Sequence, residues 1–341
     1  MGVAVTFVAV HGNIHTRVER QRQRTMELKI QDLSKTYSNG VQALNRVSLT
    51  IKPGMFGLLG PNGAGKSTFM RTLATLQQAD SGSAHLGEID VLNQKDELRK
   101  VLGYLPQEFG LYPKISAVDM LDHFATLKGL TPARYRREVV YALLKKTNLY
   151  DVRFRKLGAY SGGMKQRFGI AQALLGNPQL IIVDEPTAGL DPEERARFHS
   201  LLSDISEQII VILSTHIVSD VADLCQEMAV MNKGCVAVQG QPLKLIEAMR
   251  GRIWRKFVPK EEVAAYQAKL RVISVQRQAG QTMLRVESPE APDGSFEAAE
   301  PNLEDVYFSA IRGSAGVPGT VEPVEALPPP ALASADAQDV R

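Results

Sequence analysis

A chain of 341 residues has room for one large domain plus a smaller one, with a sizeable core. Its 44% hydrophobic and 23% charged residues are those of an ordinary soluble globular protein, and a net charge of +3 is too small to argue for nucleic acid. No apolar run approaches the roughly 20 residues that cross a bilayer, so any membrane role is expected to come through a partner.

Residues 1–25 run apolar and then basic (Arg17, Arg20, Arg22, Arg24), without the basic start or clear cleavage site of a signal peptide. A disordered extension is expected there, one reading being that translation starts at Met26. A strand pattern follows over 27–33, and 41–52 alternates as its hairpin partner before a Pro53-Gly54 turn. The apolar stretch 55–59 then leads into Gly60-Pro61-Asn62-Gly63-Ala64-Gly65-Lys66-Ser67-Thr68, and 69–76 reads as a helix. Ser81-Gly82 is another turn signal, and 101–107 reads as a buried strand stopped by Pro106. Helical spacing dominates between 108 and 178, notably over 118–127 and 133–144. Short, fully apolar runs return at 180–183, 209–213 and 228–231, as a sheet covered on both faces requires. The core over 26–240 is therefore expected to be α/β with a helical insertion. Beyond Gly240 a small α+β unit is expected, with helices over 243–249, 261–270 and 303–311 and strands over 252–258, 272–276 and 283–286. From 313 the Pro, Ala and Gly content rises and a disordered tail is expected. Cys225 and Cys235 lack a Cys-x-x-Cys spacing, which suits buried structural thiols in a reducing compartment.

Chemistry concentrates in a few constellations. The glycines of 60–68 leave no Cβ between backbone and ligand, so successive N–H groups can face phosphates at a helix N-terminus. Lys66 is spaced to reach the β- and γ-phosphates, and the Ser67 hydroxyl to ligate Mg²⁺. Asp184-Glu185 close an apolar run, where an open α/β sheet places its ligands. Asp184 suits Mg²⁺, usually through water, and Glu185 suits polarising a water aimed at the γ-phosphate. His216, just past another apolar run, can contact that phosphate and steady the water. Gln107 is an uncharged group able to reach water, Mg²⁺ or phosphate, and Tyr37 is either a purine-stacking ring or an ordinary half-exposed tyrosine. Ser161-Gly162-Gly163 opens a proline-free stretch through Leu175. It is either a plain helix cap or a second anion site lacking its own lysine, serving a nucleotide held by another chain.

In this order the pieces resemble the nucleotide-binding subunit of ATP-binding-cassette (ABC) transporters, over about residues 26–240. Residues 60–68 and 180–185 look like the family's two Walker motifs, and Tyr160-Ser161-Gly162-Gly163-Met164-Lys165-Gln166 looks like its signature. Glu185-Pro186-Thr187-Ala188-Gly189-Leu190-Asp191-Pro192 covers the acid pair and the D-loop. Tyr37, Gln107 and His216 fall at the adenine-stacking, Q-loop and switch positions. Tyr160, Met164 and Ala188-Gly189 depart from the commonest forms, while Ser161, Gly162, Gly163 and Asp191 are kept. The signature variant and Pro301-Asn302-Leu303-Glu304-Asp305-Val306-Tyr307 look like the branch paired with ABC-2-type membrane subunits, which handles drugs, polysaccharides and other exports.

The resemblance implies a P-loop NTPase with a helical subdomain over about 108–178. It also implies ATP and Mg²⁺ as ligands, an integral membrane subunit as partner, and a place at the cytoplasmic face of the membrane. A head-to-tail homodimer follows as well, each ATP touching Lys66 and Ser67 of one copy and Ser161 and Gly163 of the other. Gln107 would also contact the metal, and Asp191 would be among the nucleotide-binding residues. No direct nucleic-acid binding is expected. Three rivals are an ABC ATPase of ribosomes or DNA, a P-loop kinase, and a cassette kept as a regulatory binding module. Ribosomal members usually carry two cassettes and chromosomal ones long coiled coils, neither present here. Ser161-Gly162-Gly163 with His216 argues against the kinase, and steady ATP turnover would exclude the binding module.

Overall fold

The computed structural model describes residues 26–107 and 110–313. The expectations for 1–25, for the tail beyond Gly313 and for the start of the helical stretch at 108 and 109 lie outside these residues.

The chain opens with an antiparallel pair, β1 (Leu28–Thr36) and β2 (Gln42–Ile51), whose inward residues alternate with exposed ones. Together with β4 (Ser81–Leu86) and β5 (Ile89–Asp90) they form a four-stranded sheet in the order β2-β1-β4-β5. The turn expected at Ser81-Gly82 is the start of β4 instead. Gly82 takes φ +97°, where a Cβ would lie 2.6 Å from Asp32 O, and the pairing with β1 slips a register there. The glycine thus faces a bulge in β1, where Asp32 and Leu33 stand opposite it alone, and is not a turn before the sheet.

Between them runs β3 (Gly54–Leu59), every residue of it buried. It is central in a six-stranded sheet whose order is β10-β9-β3-β8-β7-β6. The remaining members are β6 (Leu102–Leu105), β7 (Leu180–Asp184), β8 (Ile210–Ser214), β9 (Glu227–Asn232) and β10 (Cys235–Gly240). All pair parallel except β10, which lies antiparallel on β9. β7 and β8 are also buried throughout, so their unbroken apolar runs reflect cover on both faces.

One face packs against the first sheet and α1 (Lys66–Leu73), burying Leu58, Phe69, Met70, Ile182 and Ile212. The other is covered by α5 (Gly162–Ala173) and α6 (Pro192–Ser206), through Ile170, Phe198 and Leu202. Short α2 (Lys95–Val101) leads into β6. α3 (Ala117–Leu127), α4 (Ala133–Lys146) and α5 share a separate apolar cluster around Leu121, Leu144 and Phe168. α2 was not expected; α6 is one of the helices expected between the apolar strands, and Asp191-Pro192-Glu193-Glu194 carries the cap, the N1 proline and the first-turn acids that mark its start.

After α7 (Val218–Leu224) and α8 (Pro242–Glu247) comes a third sheet in the order β12-β13-β11-β14. It is built from β11 (Ile253–Val258), β12 (Val272–Gln278), β13 (Gln281–Glu287) and β14 (Glu297–Ala298). The helix expected over 261–270 divides into a 3₁₀ turn at Lys260–Glu262 and α9 (Val263–Lys269). The last helix, α10 (Leu303–Gly313), sends Leu303, Val306 and Tyr307 into the apolar cluster beneath the six-stranded sheet. Its Ile311 carbonyl accepts from Asn232 Nδ2 at 2.9 Å, and its Asp305 is held by Arg285 at 2.7 and 2.6 Å. The C-terminal sheet is therefore fastened to the main sheet through packed side chains.

Cys225 is buried, which pushes its thiol well above the usual range, whereas Cys235 is only half-buried on the antiparallel strand β10. Among the described residues no helix is long and apolar enough to cross a membrane.

Candidate nucleotide site

Where β3 ends, the chain turns through 60–65 and enters α1 at the carboxyl edge of the six-stranded sheet. The loop lines a cavity of about 760 Å³. Gly65, the residue before α1, has φ +105°, and a Cβ there would sit 2.3 Å from Ala43 O. No other side chain fits that point, and the helix's first N–H groups are left facing the cavity.

Lys66 is only 6% exposed. Its Nζ donates to Gly60 O at 2.6 Å and Pro61 O at 3.3 Å. Burial pulls the amine below the usual lysine range, and the Glu185 and Asp184 charges oppose that shift. A buried cation held by carbonyls beside two acids is arranged to meet anionic oxygen. Ser67 stands exposed at the cavity wall, and the Thr68 hydroxyl lies 3.0 Å from Tyr37 Oη, which donates to Gln77 Oε1 at 3.0 Å.

Opposite the loop, β7 delivers Asp184 and Glu185. Asp184 is 8% exposed, and burial raises its carboxyl above the usual range, with neighbouring Glu185 adding to the shift and Lys66 opposing it. Glu185 departs from the strand with φ +46°, a sparsely populated region for a non-glycine residue, and its N–H donates to Ser214 O at 2.9 Å. That twist turns the carboxylate to two groups from other elements. Gln107 Nε2 donates to Glu185 Oε2 at 3.1 Å, and His216 Nδ1 lies 3.2 Å from Oε1.

Tyr37, Pro61, Asn62, Gly63, Ala64, Gly65, Lys66, Ser67, Thr68, Gln107, Glu185 and His216 therefore converge on one cavity. Asp184 is buried beside it. Ser161, Gly162, Gly163 and Asp191 are not in its lining. Ser161 caps α5, its Oγ accepting from Met164 N at 3.2 Å, and Asp191 caps α6, accepting from Glu194 N at 2.8 Å. Gly163 rests on Glu194, whose Oε2 would be 2.3 Å from an added Cβ. Val41, Gln42, Ala43 and Lys233 also line the cavity. No motif marked them, because they reach it only through the pairing of sheets and the turn between β9 and β10.

Among the described residues no group of three His, Cys, Asp or Glu side chains could hold a metal. Mg²⁺ does not require one: it commonly takes one or two protein oxygens, substrate phosphate and water. A buried carboxylate beside a hydroxyl-bearing phosphate cradle fits that demand.

The family profile described as "ABC transporter" matches residues 44–188. YxlF of Bacillus subtilis, an uncharacterized ABC transporter ATP-binding protein, is 30% identical over 301 residues, covering 84% of this chain and 99% of its own. This chain belongs to the ATP-binding proteins of ABC transporters. YbhF of Escherichia coli, a probable multidrug ABC transporter ATP-binding protein, is 32% identical over 272 residues, 76% of this chain; the chain spans about half of YbhF's length, 47%. Nod factor export ATP-binding protein I of Burkholderia pseudomallei is 35% identical over 226 residues, 66% of this chain and 74% of its own. Among solved structures, the ATP-binding cassette MJ0796, a dimer bound to ADP and Pi, aligns with a TM-score of 0.57 and 28% identity, over 63% of this chain and 98% of its own.

Proposed function

We propose that this cassette binds Mg·ATP in the cradle of residues 60–68, hydrolyses it, and works in head-to-tail pairs to drive export through a separate membrane subunit at the cytoplasmic face. The observation that carries the reading is the convergence of Gln107 and His216 on Glu185 at the mouth of the cradle. Lys66 meets the β- and γ-phosphates, and the backbone N–H groups of the loop take the remaining oxygens. Ser67 and Asp184, with Gln107 as a further contact, would hold Mg²⁺, which would supply charge neutralisation on the phosphates. Glu185 accepts a proton from the attacking water, while Gln107 and His216 fix the orientation of its carboxylate. Tyr37 walls the adenine side.

Ser161–Gly163 lie outside this cavity, which supports their serving the twin's nucleotide, with Asp191 beside the shared face. A γ-phosphate bound by both copies favours the closed pair, and its loss releases it; this differential contact is what lets a nucleotide drive a shape change. Gln107 also lines a second cavity of about 350 Å³ with Leu111, Pro113, Gly162 and Lys165. This supports a route from the γ-phosphate to a membrane subunit seated on the helical part. The names of YbhF and the Nod factor protein support export. We read residues 26–240 as the cassette proper and 241–312 as an accessory unit.

The test is Glu185→Gln. ATP affinity should stay within about two-fold, turnover should fall about a thousand-fold, and ATP should trap a dimer on size exclusion, since only the proton acceptor is lost. Near-normal phosphate release would remove Glu185 from this role, and a variant that stays monomeric with ATP would remove the paired site.

A further inference from the structure

We infer that Asp220 is a positioning residue for the Glu185–His216 pair, acting through the hydroxyls of Thr187 and Thr215. This rests on the reading of Glu185 and His216 given above. Asp220 sits in α7, four residues past His216, and is fully buried. Its Oδ2 accepts from Thr187 Oγ1 at 2.6 Å and from Thr215 Oγ1 at 3.5 Å. Its Oδ1 accepts from Arg195 Nε at 2.7 Å and pairs with Arg195 Nη2, and His199 Nε2 lies 2.9 Å from it. One carboxylate thus ties the loop after Glu185, helix α6, and the turn that carries His216.

The ties fall close to the reacting groups. Thr187 is two residues beyond Glu185, whose left-handed backbone needs its exit held. Thr215 directly precedes His216, and its hydroxyl accepts from Ile217 N at 2.9 Å, closing the turn around the imidazole. Arg195 Nη2 donates to Ser219 Oγ at 2.8 Å on the far side of the same turn. Stability alone does not explain such a group, since buried ion pairs are commonly replaceable by apolar residues without loss. What the carboxylate does supply is register: Glu185 and His216 sit on separate loops, and both loops are anchored to it.

The experiment measures phosphate release, at steady state and in single turnover, for Thr187→Val, Thr187→Ser, His216→Ala, and Thr187→Val in the His216→Ala background. Thr187→Val keeps shape and loses the hydroxyl; kcat should fall about ten-fold with KM within about two-fold, and Thr187→Ser should restore kcat to within about two-fold. In the His216→Ala background the same change should cost less than about two-fold, because residues acting as a unit are not additive. The ring ¹⁵N shifts of His216 should move in Thr187→Val and return in Thr187→Ser. An unchanged kcat, an equal loss in both backgrounds, or unmoved His216 shifts would each overturn the coupling. If His216→Ala alone turns over normally, the reading of His216 fails instead, which the single variant distinguishes.

Discussion

Two glycine-rich helix starts in this molecule look alike in sequence, yet Gly65 in one and Gly162 in the other answer to different demands. At the phosphate cradle the chain itself demands glycine: Gly65 is left-handed at φ +105°, and a Cβ would press 2.3 Å from Ala43 O. At the start of α5, Gly162 is exposed, has no left-handed φ, and would meet nothing within 4 Å if given a Cβ. The first glycine is needed by its own fold. The second is not, so its bareness points outward, to something that approaches from outside the chain.

The largest effect expected from breaking this contrast is at the cradle. Gly65→Ala sets strained backbone against a carbonyl that cannot yield, so the loop must shift and its N–H groups with it. ATP affinity should fall by about 100-fold, roughly 2.7 kcal/mol, by calorimetric titration. A binding constant within a few-fold of the parent would show that the loop does not need its present path.

Gly162→Ala should sharpen the contrast in the opposite direction. Alanine in the first turn of an unobstructed helix should raise stability by about 0.5 kcal/mol in thermal unfolding, leave ATP binding to the monomer unchanged, and lower turnover about ten-fold. Full turnover would mean that nothing approaches closely there, and the paired site would lose its main support.

What the sequence made legible follows the same division. The cradle, the acid pair and the buried strands could be read because each is written in consecutive residues: a loop motif between strand and helix, or an apolar run ending in carboxylates. The convergence of Gln107, Glu185 and His216 lies across β6, β7 and β8, and only parallel pairing brings the three strand ends together. Ser161–Gly163 were legible as a capped helix start, but their distance from the cavity was not. Asp220 was invisible because an acid in a short helix reads as a solvated face, and its burial depends on Thr187, Arg195 and His199 arriving from elsewhere. Gly82 misled because its left-handed φ serves a bulge within a sheet, which a local turn signal does not distinguish.

The smallest effect is also the one whose sign changes with ligand. Burial raises the Asp184 carboxyl above its ordinary range in the folded, ligand-free protein. Between the ordinary carboxylate value and that raised one, the native state holds a proton that the unfolded chain has lost, so stability falls as pH rises through the window. Above the window the loss stays constant. Asp184→Asn has no such proton to lose; at neutral pH and without nucleotide it should be more stable than the parent by on the order of 1 kcal/mol, and the advantage should vanish as pH falls through the window. Saturating Mg·ATP should reverse the order, because metal binding requires the ionised carboxylate and a ligand stabilises the state it binds in proportion to its affinity. Thermal unfolding of both proteins at two pH values, with and without Mg·ATP, reads all four conditions. Equal stabilities without ligand would mean that Asp184 rests comfortably ionised. Equal stabilisation by Mg·ATP would mean that the metal is held without it, and that the cradle, unlike the bare helix start of α5, is complete within Ser67 and the phosphates alone.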